Sequence, residues 1–177
     1  QLSVADSILN AHYTALPIIK AMYDTLLHLG MRSTKQQPLR ILEPAGGSGN
    51  FIGMMPPELR DQSRINVVEM DEISCRIIEQ LYPETNIENK PFEDCYLSKD
   101  SFDLIISNIP FGQVQVFDPA FVKPKYLKRA IHDYYFARAV QLAKSLAAVM
   151  SNSSVSDLPT RSITSPALCW TLRLSDG

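Results

Sequence analysis

The sequence predicts an α/β fold with a mostly parallel sheet flanked by helices, and three observations predict it. Short apolar runs alternate with segments of helical periodicity. The runs are almost continuous in apolar residues, as strands covered on both faces are. The least generic segments of the chain, residues 43–50, 69–71 and 108–111, each follow such a run, where open α/β sheets hold their ligands. A chain of 177 residues, 45% hydrophobic and 20% charged, can bury a core as one domain without disulfide or metal staples.

Thr14 and Pro17, then Ile18, Ile19, Met22, Leu26 and Leu29 at helical spacing, closed by Gly30, predict a first amphipathic helix. Residues 39–42 predict a strand that runs into a glycine-rich break beginning at Glu43. Residues 65–68 predict a second strand, ended by Glu69. Asp71 is placed to cap a helix carrying Ile73, Ile77, Ile78 and Leu81, which Pro83 stops. Residues 86–88 and 102–106 predict two more strands, the latter broken at Ser107. Residues 134–148 carry a helical pattern through Phe136, Ala139, Val140, Ala143 and Leu146. Residues 146–150 fit either the end of that helix or the start of a fifth strand. Beyond them the chain is rich in serine and lacks sustained periodicity, which predicts residues 1–150 as the folded domain and 151–177 as an irregular tail.

No window approaches the roughly 18 consecutive apolar residues that span a bilayer, and the first ten residues lack a basic region followed by an apolar one, so a cytoplasmic protein is expected. Cys75, Cys95 and Cys169 match no zinc or redox spacing and are expected as isolated thiols, with no metal. A net charge of −2 supplies no overall footprint for phosphate neutralisation, so any polynucleotide role must rest on local patches or a partner.

The glycine-rich segment admits two interpretations: a tight strand-to-helix turn, or a loop whose backbone closely approaches a ligand. Glu43, just before it, would repel a pyrophosphate but suit a cation or an amine. Ile52 stands where a dinucleotide fingerprint needs its third glycine. Glu69, 20 residues after Gly49, can accept both hydroxyls of a ribose. In Asn108-Ile109-Pro110-Phe111, Pro directs carbonyls into a cleft, Asn offers an acceptor and the aromatic can stack a planar group, a set suited to the amino group of a base or amide. A proline-containing turn capping a strand is the plainer alternative.

Glu43-Pro44-Ala45-Gly46-Gly47-Ser48-Gly49-Asn50-Phe51, Val67-Val68-Glu69-Met70-Asp71 and Asn108-Ile109-Pro110-Phe111 resemble the ordered motifs of S-adenosylmethionine-dependent adenine-specific DNA methyltransferases. Asn10-Ala11-His12-Tyr13-Thr14 and Ile131-His132-Asp133-Tyr134-Tyr135-Phe136 are similar to segments in the methylase domains of large methylase and helicase-related proteins of bacterial mobile elements. The resemblance implies a Rossmann-like class I methyltransferase fold, incomplete at its carboxyl end because residues after Lys144 depart from the family's turn, fifth strand and hairpin. It implies S-adenosylmethionine as cofactor, with Tyr13 and Thr14 closing over its methionine end and the loop from Glu43 through Pro44, Ala45, Gly46, Gly47, Gly49, Asn50 and Phe51 beside that end. Glu69 would then bind the ribose, while Met70 and Phe92 would flank the adenine.

For catalysis the same resemblance implies that Asn108, Ile109, Pro110 and Phe111 receive a flipped adenine of DNA, its exocyclic amino nitrogen being out of reach inside a duplex. DNA would be the partner, with a separate recognition domain or subunit. A truncated, non-catalytic cofactor-binding module, or a methyltransferase acting on RNA or on protein glutamine, are the alternatives. The basic run Lys123-Pro124-Lys125-Tyr126-Leu127-Lys128-Arg129 reads equally as phosphate contact or solvated loop, and His132 as a catalytic group or a backbone-bonded helix-start residue.

Overall fold

Strands Arg40–Glu43 (β1), Arg64–Glu69 (β2), Asn86–Asn89 (β3), Phe102–Ser107 (β4), Ala143–Asn152 (β5) and Leu168–Leu172 (β6) form one sheet in a computed structural model that describes residues 14–109, 116–118, 131–152 and 168–172. The order across the sheet is β3-β2-β1-β4-β5-β6, with β1 to β5 parallel and β6 antiparallel to β5. Helices Leu16–His28 (α1), Asn50–Met54 (α2), Pro57–Arg60 (α3), Glu72–Leu81 (α4) and Ile131–Leu142 (α5) accompany it. The expected α/β architecture is observed.

Successive strand residues point to opposite faces, and both faces are covered. Ile41, Val67, Leu104 and Ile106 bury with Ile19, Met22, Tyr23 and Leu26 of α1 and Ile78 of α4. Leu42, Val68 and Ile105 bury on the other side with Tyr134, Tyr135, Ala139 and Leu142 of α5. Two cores explain why these strands read as unbroken apolar runs rather than alternating ones.

The buried stripe of α1 is Ile19, Met22, Tyr23 and Leu26, whereas Ile18 and Leu29 of the expected stripe are exposed. The observed i, i+3, i+4, i+7 set includes a tyrosine whose hydroxyl reaches the Phe51 carbonyl, a contact invisible to an apolar pattern. Asp71 does cap α4, its Oδ2 accepting from the Ser74 amide at 2.8 Å. The short helices α2 and α3 were not expected.

The predicted helix over residues 134–148 is corrected: α5 stops at Leu142 and β5 starts at Ala143. An apolar run of this composition suits either structure, and the outer edge of β4 decides between them by pairing its backbone groups with β5, Ile105 opposite Val149 and Ser107 opposite Ser151. Leu168–Leu172, expected within an irregular tail, is a strand that pairs its backbone with β5.

The chain order reverses at β1, which has β2 on one side and β4 on the other. A crevice opens at the carboxyl edge of such a switch point. Glu43 ends β1, Glu69 ends β2, and Asn108 directly follows β4, so all three leave the sheet at that edge.

Candidate functional site

The glycine loop begins where β1 ends. The Gly46 amide donates to the Val68 carbonyl at 3.0 Å, drawing the loop against β2 so closely that a Cβ at Gly46 would collide with Val67 Cγ1. Gly49 has φ of +80° and starts α2, a left-handed conformation that costs other residues free energy. The Gly47 amide, between them, donates to Glu69 Oε2 at 2.6 Å, and the Asp71 amide donates to Glu69 Oε1 at 2.8 Å. Glu69 thus joins the end of β2 to the loop, and each of its oxygens retains capacity for a further donor. The space beside Gly47 is open.

Glu43 has a different environment. It is 2% exposed, and its Oε2 has no hydrogen-bond partner among the described residues. Burial, followed by repulsion from Glu69, pushes its carboxyl well above the usual carboxylate range. Tyr23, buried nearby on α1, has its hydroxyl raised by burial and then by the Glu43 charge, and donates to the Phe51 carbonyl at 2.9 Å. Thr14, immediately before α1, is 5% exposed with Oγ1 also unpartnered among the described residues. Buried acceptors without donors are costly, and such groups suit a site awaiting a polar or cationic ligand.

The other expected residues divide between crevice and core. Pro44 is buried, and Ala45 and Asn50 are half-buried, Asn50 accepting from the Ser48 hydroxyl at 3.2 Å. Met70 is 74% exposed, leaving its side chain available beside the crevice. Asn89 supports this turn from the edge strand, its amide donating to the carbonyls of Glu69 and Met70.

Three of the expected residues lie in the cores. Phe51 packs in the first core beneath the loop. Phe92 is 1% exposed, its ring 4.9 Å from that of Tyr135 and 6.0 Å from that of Tyr134, so neither face is free for an adenine. Ile109 buries its side chain in the second core. Asn108 is half-buried at the carboxyl end of β4. Tyr13, Pro110, Phe111 and the basic run of residues 123–129 lie outside the described residues. His132 is half-buried, its Nε2 3.8 Å from Asp133 Oδ1.

The sequence reading missed Tyr23 and Ser107. Ser107 ends β4 at 1% exposure, with Oγ unpartnered among the described residues. A lone hydroxyl closing an apolar strand was the available signal. Cys75 and Cys95 are buried free thiols, as expected of isolated cysteines. Among the described residues no cluster of His, Cys, Asp or Glu could hold a metal, and no helix is long and apolar enough to cross a membrane.

A switch-point crevice with an acid closing each of its first two strands and a glycine loop between them defines a Rossmann-like fold of the methyltransferase kind. Solved structures agree. A tRNA methyltransferase from Aquifex aeolicus superposes with a TM-score of 0.55 at 12% identity, over 89% of this chain and 56% of that one. A protein from Pyrococcus horikoshii provisionally assigned as an RNA methyltransferase gives 0.53 at 10% identity, over 83% of this chain and 65% of that one. In sequence, the chain is 30% identical over 103 residues to the defense against restriction protein B of Escherichia phage P1. That match covers 57% of this chain and 4% of the phage protein's length. No family model matches the chain.

Proposed function

We propose that this chain is the catalytic domain of an S-adenosylmethionine-dependent methyltransferase that acts on the exocyclic amino group of adenine in DNA. The observation that carries the proposal is the convergence of Glu43, Glu69, the glycine loop and Asn108 on one edge of the sheet. Buried Glu43, with an unpartnered oxygen, fits a cationic methionine end; Glu69, with acceptor capacity left, fits ribose hydroxyls; exposed Met70 fits an apolar ring face. The residues present therefore suit this cofactor.

When bound, S-adenosylmethionine supplies a methyl group on a sulfonium, which leaves as a neutral thioether. The Asn108 side chain, at the end of β4, would accept a hydrogen from the target amino group and hold its nitrogen in line with the donor. The chain contributes position and exclusion of water rather than a strong base, and the amino proton departs to solvent. Phe111, three residues further on, would stack on the extruded base, with extrusion being required to bring that nitrogen to the donor.

Likeness to a phage protein named for defence against restriction favours DNA as the substrate. RNA is the second reading, favoured by the fold's likeness to a tRNA methyltransferase. Further recognition of the polynucleotide would come from another domain or subunit, since the net charge of −2 offers no broad attraction to phosphate.

Transfer of tritiated methyl from S-adenosylmethionine to unmethylated duplex DNA, matched RNA and total protein tests the proposal. Label recovered as N6-methyladenine from DNA is the expected result. Label only in RNA or glutamine would replace the substrate, and cofactor binding with no transfer to any acceptor would leave a non-catalytic module.

A further inference from the structure

Asp118 is buried, at 2% exposed, and Val116, Phe117 and Asp118 belong to no helix or strand. A carboxylate in such a place is unfavourable unless its charge is met. Two residues one turn apart on α5 meet it. The Tyr134 hydroxyl donates to Asp118 Oδ2 at 2.7 Å, and Arg138 Nε stands 3.7 Å from the same oxygen. Arg138 is itself 3% exposed and is held by the Gln141 side chain and by the Cys95 carbonyl at 3.5 Å.

The first turns of α5 therefore grip the chain after the Asn108 motif, and they grip it within the motif, at Ile109, as well. Ile109 is 3% exposed and Val116 6%, and both lie in the same apolar cluster as Tyr134 and Tyr135. Asn108 and Asp118 are ten residues apart in sequence, with α5 packed against both flanks of the segment between them.

We infer that Asp118, Tyr134 and Arg138 form a positioning cluster that holds Asn108 in register with the crevice. The inference rests on the methyltransferase reading for what Asn108 does there, but the clamp itself is a property of the packing. A packing role alone would be served by an apolar group at position 118. A charged group contacted by both a hydroxyl and a guanidinium specifies one location and direction for the chain, which apolar contacts do not. Asp118 and Arg138 also line a cleft of about 780 Å³ together with Glu93, Cys95, Tyr96 and Lys99.

The test uses the full chain with Asp118→Asn and Tyr134→Phe. Four quantities are measured: S-adenosylmethionine affinity by calorimetry, kcat and KM for methyl transfer to adenine-containing duplex DNA, thermal midpoint, and amide exchange of the peptides covering Leu42–Glu43 and Asn108–Ile109. Loss of one charge-assisted hydrogen bond is expected to lower kcat/KM for DNA about tenfold in each variant while cofactor affinity stays within about twofold. Exchange at Asn108–Ile109 is expected to accelerate about tenfold, with Leu42–Glu43 unchanged.

Unchanged transfer in both variants, or transfer and cofactor affinity falling together, would overturn the inference. If the wild-type chain binds cofactor but methylates no acceptor, the proposed function fails and exchange decides the clamp separately. Selective acceleration at Asn108–Ile109 then upholds it, and equal or absent change at the two peptides refutes it.

Discussion

The two sides of the switch point solve the same problem by opposite means. On the β1–β2 side, the polar groups of the crevice are positioned by backbone: Glu69 by two amides, and the glycine loop by the Val68 carbonyl. Glu43 there is left with an unsatisfied oxygen in a buried setting. On the β4–α5 side, the buried carboxylate of Asp118 is met by a hydroxyl and a guanidinium from one helix. The first side leaves its buried carboxylate to be met by a ligand, whereas the second meets its carboxylate from α5, with Arg138 Nε in ion-pair range but without a hydrogen bond among the described residues. A ligand-binding edge and a structural clamp can thus be told apart by whether the buried charge already has its partner.

The largest expected effect that would break this contrast comes from Glu69→Ala, which removes both amide contacts and the proposed ribose acceptor together. S-adenosylmethionine affinity should fall by about a hundredfold, read by calorimetry, on the scale of two charge-assisted hydrogen bonds. Glu43→Gln should weaken the same binding by about tenfold and at the same time stabilise the ligand-free protein at neutral pH.

The second half of that expectation has a definite pH dependence. Burial first, and Glu69 second, raise the proton affinity of Glu43 in the folded state. Its carboxyl therefore contributes stability while protonated, fully so below the ordinary carboxylate range, and that contribution is lost as pH rises through the raised value. From the ordinary carboxylate range upward in pH, the melting temperature of the wild type should fall relative to that of Glu43→Gln. Parallel melting curves over that rise in pH would show that the carboxyl is not desolvated.

Tyr23→Phe gives a smaller effect. Loss of the bond to the Phe51 carbonyl should cost about 1 kcal/mol, or about 2–4 °C in melting temperature, without altering the response of Asn108 to the Asp118 variants. The smallest expected signal is chemical. Burial, then Glu69, pushes the Cys75 thiol up to about 11; burial, then Glu88, pushes the Cys95 thiol up to about 12. Both should resist iodoacetamide in the native protein at neutral pH, and mass spectrometry of labelled peptides checks it.

Much of the crevice was legible because its groups sit where a strand pattern ends. Glu43, Glu69 and Asn108 each interrupt an apolar run, and a parallel sheet brings such interruptions to one edge whatever the exact register. Side-chain direction was not legible. Phe51, Phe92 and Ile109 neighbour the motifs, but an apolar residue beside a loop reads the same whether it faces a ligand or packs beneath the loop. The step from α5 to β5 was hidden for a related reason, since the residues around Ala143 suit both structures and the free edge of β4 chose. Of the Asp118 clamp only Tyr134 stood in a motif, and its meeting with Asp118 and Arg138 was not legible, since it depends on how α5 docks.

The tie between the Gly47 amide and Glu69 bears on how quickly and how selectively the crevice can be filled. A glycine-rich segment left loose would have to be ordered by each arriving molecule, and that entropy would be subtracted from affinity at every encounter. Here folding has already ordered it. Under the proposed function, recognition at this edge would be that of a mould rather than a closing hand, with a molecule of the wrong outline rejected before the loop could adapt to it.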